Sequence, residues 1–248
     1  MKLAVGPAWG SPFIWTSAVE AMLDMAHPDG WDVRWFFGKG WCPARRHTDL
    51  CEKALAWGAD LMCFVGADQI HPPDLLPRLV ARHAQGYEVV GALVPARGYI
   101  EWMDMKPFQP MAWRLKRNQP PRVFRGYALD KDMVEIVSPA DGEMVQVNWI
   151  GSGVLSFPTV LLKYLKRPWF FETVQNETYV RYANQDVNFV WRLQQEAQAK
   201  VWVDTTIKVG HLHPFTIDDT FQERFADWAT PGVGEPDIVK FSPLGAHA

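Results

Sequence analysis

Short apolar runs alternate with helical stripes along the first part of the chain. Residues 3–5 form a brief apolar run. Residues 15–26 then place Val19, Met22, Leu23 and Ala26 at the spacing of one helical face. A second run covers 33–37. Pro43 follows in a first-turn position, and 44–57 reads as a helix closed by Gly58. Residues 61–65 are wholly apolar, 73–85 read as a helix ended by Gly86, and 88–94 form a fourth run. Strands alternating with helices predict an α/β fold, a mostly parallel sheet flanked by helices.

The rhythm breaks at Pro95. Residues 95–125 are rich in Pro, Trp, Met, Lys and Arg and too long for an ordinary connection, so a lid-like insertion is expected there. Pro95, Pro107, Pro110, Pro120 and Pro121 deny it a continuous helix or a central strand. Beyond it, 133–137 and 144–149 read as strands, 159–166 and 185–197 as helices, and 201–203 and 207–209 as short strands. From Pro231 periodicity is lost, which predicts an irregular tail over 231–248 behind a single domain spanning 1–230. No repeat or linker divides that domain.

Composition adds limits. Of 248 residues, 48% are hydrophobic and 21% charged, which excludes wholesale disorder. A net charge of -3 gives no global support for nucleic-acid or membrane binding but permits a local basic patch. Thirteen Trp are many, and suggest surfaces that stack flat or ring-shaped ligands. Cys42, Cys51 and Cys63 match no metal spacing and read as free thiols in a reducing compartment. Pro7 interrupts the first apolar stretch and 61–67 reads as a buried strand, so the expectation is a cytoplasmic protein with no transmembrane segment.

Four clusters carry polar residues where chemistry is plausible. In the first, an apolar strand runs into Gly66-Ala67-Asp68 and then His71-Pro72-Pro73-Asp74. A carboxylate at the carboxyl end of a strand can hold a hard cation, and it can equally cap the turn. The second is Gly151-Ser152-Gly153, either a tight turn or a place where backbone approaches a ligand. The third is Asn184-Gln185-Asp186, where Asn184 suits a helix N-cap and Asp186 the first turn. Asp186 would be a general base only if the right group faces it. The fourth is Gly210-His211-Leu212-His213, two histidines in alternation after a strand.

In this order the clusters resemble the GT-A fold glycosyltransferases that use nucleotide sugars. Ala44-Arg45-Arg46 looks like that family's short Ala-Arg motif, and the strand ending at Asp68 like its Asp-x-Asp turn. Gly151-Ser152-Gly153 resembles its Gly-x-Gly, Trp169-Phe170 its aromatic pair, Asn184-Gln185-Asp186 with Phe189 its Glu-Asp motif, and Asp204 with Gly210-His211 its closing strand and metal-binding His. Two carboxylates of the pattern are replaced, by Gly66 and Gln185. The resemblance spans residues 1–213 without 95–125.

The resemblance implies a nucleotide-binding half at 1–94 and an acceptor half at 126–213. It implies a hexosyl transfer from a nucleotide-diphosphate sugar to an acceptor hydroxyl, with inversion. Pro7, Ala8, Arg45, Asp68, Gly151 and Gly153 would bind the donor. Asp68 and His211, with His213 as a substitute, would hold Mn²⁺ or Mg²⁺. Asp186 would be the catalytic base. Outside the resemblance, the aromatic and basic residues of 95–125 suggest that Trp102, Trp113 and Arg114, with Trp169, meet the acceptor, a nucleic acid such as a modified DNA base, a glycan or a lipid-linked glycan. Two rival classes remain open: a non-catalytic nucleotide-sugar-binding module, and a nucleotidyltransferase on a similar sheet.

Overall fold

The computed structural model describes residues 1–8, 14–96, 110–116, 134–174 and 181–212. Those up to Leu212 form one compact unit. In chain order the elements are β1 (Lys2–Pro7), α1 (Thr16–Leu23), β2 (Asp32–Trp35), α2 (Pro43–Trp57), β3 (Leu61–Val65), β4 (Gln69–Ile70), α3 (Leu75–Ala84) and β5 (Val89–Leu93). Then come β6 (Ala112–Leu115), β7 (Val134–Ile136), β8 (Met144–Val147), β9 (Trp149–Ile150), β10 (Val154–Pro158), β11 (Thr173–Val174) and β12 (Arg181–Ala183). α4 (Gln185–Glu196), β13 (Val201–Lys208) and β14 (Gly210–His211) complete the described chain.

Seven strands make the central sheet in the order β2-β1-β3-β10-β5-β13-β8. Five of them run the same way, while β10 and β8 run against their neighbours. This is the expected α/β fold with a mostly parallel sheet. The buried strand β3 divides its side chains between two cores. Met62 and Phe64 join Leu50, Phe157, Phe170 and Phe189 on one face. Leu61, Cys63 and Val65 join Leu3, Leu75, Leu76 and Leu79 on the other. That period-2 alternation makes a fully apolar run a sheet centre.

The α2 helix begins at Pro43 and ends at Gly58, which takes φ 74°, as the Pro-first, Gly-last pattern predicts. The α1 helix is shorter than its hydrophobic stripe. It stops at Leu23, which is 79% exposed, and buries Ala18 and Met22 rather than the whole expected face. Residues 159–163 form a 3-10 turn instead of a longer helix. The expected strand at 144–149 is split between two sheets, as β8 and β9.

The pattern assigns no strand to Val154–Pro158, yet this run is the middle of the sheet. A five-residue apolar run between turns carries no period that separates strand from helix. The two expected strands at 201–209 are one strand with an irregularity after Asp204. Asp204 is wholly buried there. Its carboxylate accepts from Arg82 Nε at 2.9 Å, Thr206 N at 2.9 Å and Arg78 Nη2 at 3.5 Å. These bonds fasten α3 to β13 and hold the Asp204 carboxyl below its ordinary range despite burial, which acts the other way.

The 95–125 stretch is in part a fixed element. Residues 112–115 form the middle strand of a small sheet ordered β7-β6-β9, contrary to the expectation that prolines keep the stretch from any central strand. The prolines lie outside that strand, so its ladder is intact. Residues 97–109 and 117–133, and the expected tail, lie outside the described residues.

Candidate functional site

The antiparallel strand β10 begins where β1 and β3 end. Val154 pairs with Val65, and Pro7 pairs with Val65 from the other side. The register therefore brings Pro7, Gly66 and Gly153 to one edge of the sheet, at the carboxyl ends of its parallel strands. In open α/β sheets this is the ligand-binding edge.

Gln69 joins the two glycine loops. A Cβ on Gly66 would stand 2.3 Å from the Gln69 side chain, and one on Gly153 would stand 2.2 Å from it. One carboxamide thus occupies the space that side chains at both positions would need. Gln69 is 2% exposed, and its Oε1 is a buried acceptor without a protein partner. The absence of a carboxylate at position 66 has a steric reason here, because the space is filled from three residues on.

Asp68 and His211 meet beside this wedge. β4 pairs with β14, with Gln69 opposite His211, and Leu212 N donates to Asp68 O at 2.8 Å. His211 Nδ1 lies 2.7 Å from the Pro95 carbonyl. A carbonyl only accepts, so Nδ1 donates and Nε2 is the nitrogen left to face the turn. That Nε2 stands 3.6 Å from Asp68 Oδ1. A carbonyl thus fixes the ring through one nitrogen and turns the other toward a carboxylate.

His71 lies close behind, at 3% exposure. Its Nε2 donates to Gly66 O at 3.0 Å, which leaves Nδ1 a buried acceptor with no partner. Burial pushes the His71 pKa down to about 4, against the opposing influence of the Gly66 carbonyl and Asp68. The ring is therefore neutral at pH 7.

The second arm of the site comes from α4. Asp186 stands in its first turn, after Asn184 at the N-cap position. Its Oδ2 accepts from Ser152 N at 3.2 Å and its Oδ1 from Val187 N at 2.9 Å. Gly151 packs against the same carboxylate, for a Cβ there would stand 3.6 Å from Oδ2. Behind Asp186 is His47 of α2, stacked on Phe170 at 5.1 Å with Nδ1 bonded to Pro43 O at 2.9 Å. Burial lowers the His47 pKa, and the Pro43 bond and the charge of Asp186 oppose this. The insertion is rooted here as well. Pro95 O binds His211, and Met111 O accepts from Gly151 N at 3.3 Å.

The other expected site residues lie apart. Arg45 is exposed in the first turn of α2, against Gly40. Ala8 packs on the core near the end of β1. Trp113 and Trp169 are 5% and 4% exposed, so their rings are core and not the open stacking faces that the sequence suggests. Trp113 packs with Ala96 and Trp149, and Arg167 covers the Trp169 ring at 4.3 Å. Arg114 is engaged by Glu135 at 2.5 Å and Asp141 at 2.9 Å. Trp102 and His213 lie outside the described residues.

Gln69, His47 and the Pro95 carbonyl have no motif that marks them. His71 stands in a quoted cluster, but its role depends on a backbone bond that sequence does not display. A buried Ser156–His83 pair at 2.9 Å has the chemistry of a nucleophile and base, yet Ser156 is 1% exposed in mid-sheet, so it is structural.

Among the described residues no group of three or more His, Cys, Asp or Glu converges to cage a metal, and no helix is long and apolar enough to cross a membrane. Cys42, Cys51 and Cys63 are free thiols, and burial pushes Cys63 up to about 12. No protein-family model matches the chain, and no curated protein matches it. Among solved structures it is similar to A197 from STIV, 16% identical over 86% of each chain, with a TM-score of 0.52. UDP-glucose pyrophosphorylase, apo and complexed with UDP-glucose, overlays more loosely, with TM-scores of 0.43 and 0.44, 8% identity, 84% of this chain and 92% of that one. The first of these is a likeness of fold, and the looser two carry no argument about activity.

Proposed function

We propose that the chain is a glycosyltransferase that moves a sugar from a nucleotide-diphosphate donor to an acceptor hydroxyl. The observation that carries this reading is the approach of His211 Nε2 to Asp68 Oδ1, 3.6 Å apart, at the carboxyl edge of the sheet. The two residues stand far apart in sequence, and backbone bonds orient both.

These groups fit a hard divalent cation. Mg²⁺ and Mn²⁺ are commonly held by one or two protein ligands with substrate phosphates and water, not by a full protein cage. The donor set here, one carboxylate and one imidazole with a partnerless Gln69 Oε1 nearby, matches that mode. Such a cation, Mn²⁺ or Mg²⁺, would supply Lewis-acid neutralisation of a departing diphosphate.

Asp186 takes the proton of the acceptor hydroxyl in this reading. The Ser152 N–H at 3.2 Å fixes one carboxylate oxygen and leaves the group oriented across the Gly151 turn. Gly151 and Gly153 let the diphosphate and sugar come close to backbone. Pro7, at the same sheet edge, is assigned to the nucleotide. Direct attack on the anomeric carbon inverts its configuration.

Hydrolysis of a panel of nucleotide-diphosphate sugars, with and without Mn²⁺, tests the reading. Turnover that needs the cation is expected, and Asp186→Asn should lower it about a hundredfold with donor binding nearly unchanged. Asp68→Asn should abolish the Mn²⁺ response. Release of pyrophosphate from a nucleoside triphosphate and a sugar 1-phosphate, with no sugar transfer, would instead make the chain a nucleotidyltransferase. Donor binding without turnover under any acceptor would make it a binding module.

A further inference from the structure

The loop between β2 and α2 holds an aromatic ring in solvent. Trp41 is 89% exposed and Phe37, at the start of the same loop, is 53% exposed. Scattered exposed apolar side chains are ordinary, and Leu23 at a helix end is one such. Trp41 differs because the chain around it is fixed at almost every step. Gly38 N donates to Pro7 O at 3.3 Å, and Lys53 Nζ donates to Phe37 O at 2.8 Å. Lys39 N donates to Asp49 Oδ2 at 2.8 Å, and Arg46 Nε donates to Gly40 O at 2.9 Å.

The loop also lies tight on α2. A Cβ at Gly38 would stand 2.8 Å from Arg46 O, and one at Gly40 would stand 2.6 Å from Arg45 Cγ. Gly40 takes φ 152°, which disfavours any other residue. Two glycines and four hydrogen bonds thus hold rigid a loop whose largest side chain touches little of the protein. A rigid ring presented to water loses little entropy when a flat partner stacks on it.

The surroundings of the ring are cationic. Lys39 and Arg45 are exposed, and the Arg45 stem lies on Gly40, next to Trp41. The nearby acid, Asp49, is already paired with Lys53 at 2.6 Å. Asp49 also acts on Arg45, but its carboxylate is held by Lys53, and both exposed cations remain beside the ring. An aromatic face beside two cations complements a flat ring linked to phosphate. The ring is 89% exposed and unenclosed, so it suits a polymer lying along the surface better than a free nucleotide, which needs enclosure.

We propose that Trp41, flanked by Lys39 and Arg45, is a stacking platform for an unpaired base of a single-stranded nucleic acid. The loop is joined through Gly38 N to Pro7 O at the edge of the candidate site. The inference concerns binding and stands whether or not the chain transfers sugar.

Fluorescence anisotropy with a labelled twelve-nucleotide oligo-dT, at 50 mM salt and without nucleotide sugar, tests it. Trp41→Ala should weaken binding roughly tenfold, and Trp41→Phe should retain most of it. Thermal melting should be the same for Trp41→Ala and wild type, which separates lost stacking from lost fold. The double substitution Lys39→Ala and Arg45→Ala should flatten the salt slope by about 1.4, at ~0.7 per phosphate contact on a single strand, while Trp41→Ala leaves the slope unchanged. The proposal is overturned if the wild type does not bind the oligomer, or if duplex of the same length binds as well. It is also overturned if Trp41→Ala binds like wild type, or if a sulfated oligosaccharide binds and the oligomer does not. Donor hydrolysis is read separately, so either proposal can fail alone.

Discussion

His83 makes the stability of this protein depend on pH between neutrality and pH 4, by an amount that the structure sets. Its Nδ1 donates to Tyr87 O at 2.9 Å, so the neutral ring accepts the Ser156 hydroxyl at Nε2, also at 2.9 Å. Protonating Nε2 removes that acceptor inside the sheet-helix core. Burial pulls the His83 pKa down from 6.5 to about 4, against the Tyr87 bond. The unfolded chain binds the proton near pH 6.5 and the folded chain does not, so stability is full above that range. It falls as pH drops from 6.5 toward 4 and levels off below. A gap of about two and a half pH units at about 1.4 kcal/mol each gives a total of about 3.5 kcal/mol, and about 2 kcal/mol is already lost at pH 5. His71, also pulled down to about 4, adds a similar loss. Burial lowers the His47 pKa too, so the wild type should lose at least about 4 kcal/mol between pH 7.5 and 5, a large share of a typical domain's stability. Urea unfolding at pH 7.5, 6 and 5 measures this, with His83→Gln as the comparison. Gln keeps a donor and an acceptor but does not titrate. Its loss between pH 7.5 and 5 should be about 2 kcal/mol smaller than that of the wild type, with His71 and His47 keeping their share. Equal slopes in the two proteins, or a wild type as stable at pH 5 as at pH 7.5, would refute the reasoning.

Two further outcomes follow from packing. Gly153→Ala forces a Cβ to within 2.2 Å of Gln69, which Gly66 already confines, so the variant should lose about 1–3 kcal/mol in urea unfolding. Gln69→Ala should restore most of it in the double variant, and a Gly153→Ala protein as stable as wild type would show that Gln69 is free to move. Asp204→Ala leaves the Arg82 and Arg78 guanidinium groups without their buried partner and should cost about 3–5 kcal/mol, read as a lower melting temperature. An unchanged melting temperature would mean that solvent satisfies both arginines.

The fold was legible where one periodic signal decides an element. Residues 61–65 match β3 residue for residue, because this apolar run stands between two clear helix signals and the strand-helix alternation decides it. The α2 helix was legible from Pro43 and Gly58, whose backbone preferences act locally. β10 was not, since Val154–Pro158 becomes a strand only by pairing with β3 and β5, both distant in sequence. β6 escaped for the same reason, as its neighbours β7 and β9 come later in the chain. The irregularity in β13 follows from ion pairs that Asp204 makes with α3, and no local pattern announces them.

The candidate site divides along the same line. Asp68, Asp186 and His211 stand at element ends, and sequence names them because polar residues at such places are few. Which of them face each other is decided by register. Val154 opposite Val65 brings the Gly151–Gly153 turn to the Asp68 turn, and Gly210 opposite Ile70 carries His211 there. The tryptophans show the reverse error. Composition counts Trp113, Trp149 and Trp169 with any others as stacking surfaces, yet all three are buried in the core. Among the described residues Trp41, in a glycine-bearing loop that carries no apolar period, is 89% exposed, and Trp15, just before α1, is 43% exposed. A ring is marked for a ligand by what fails to cover it, and coverage is a tertiary property. In this chain two glycines bring the loop close on α2, and the tryptophan that follows them stands in water.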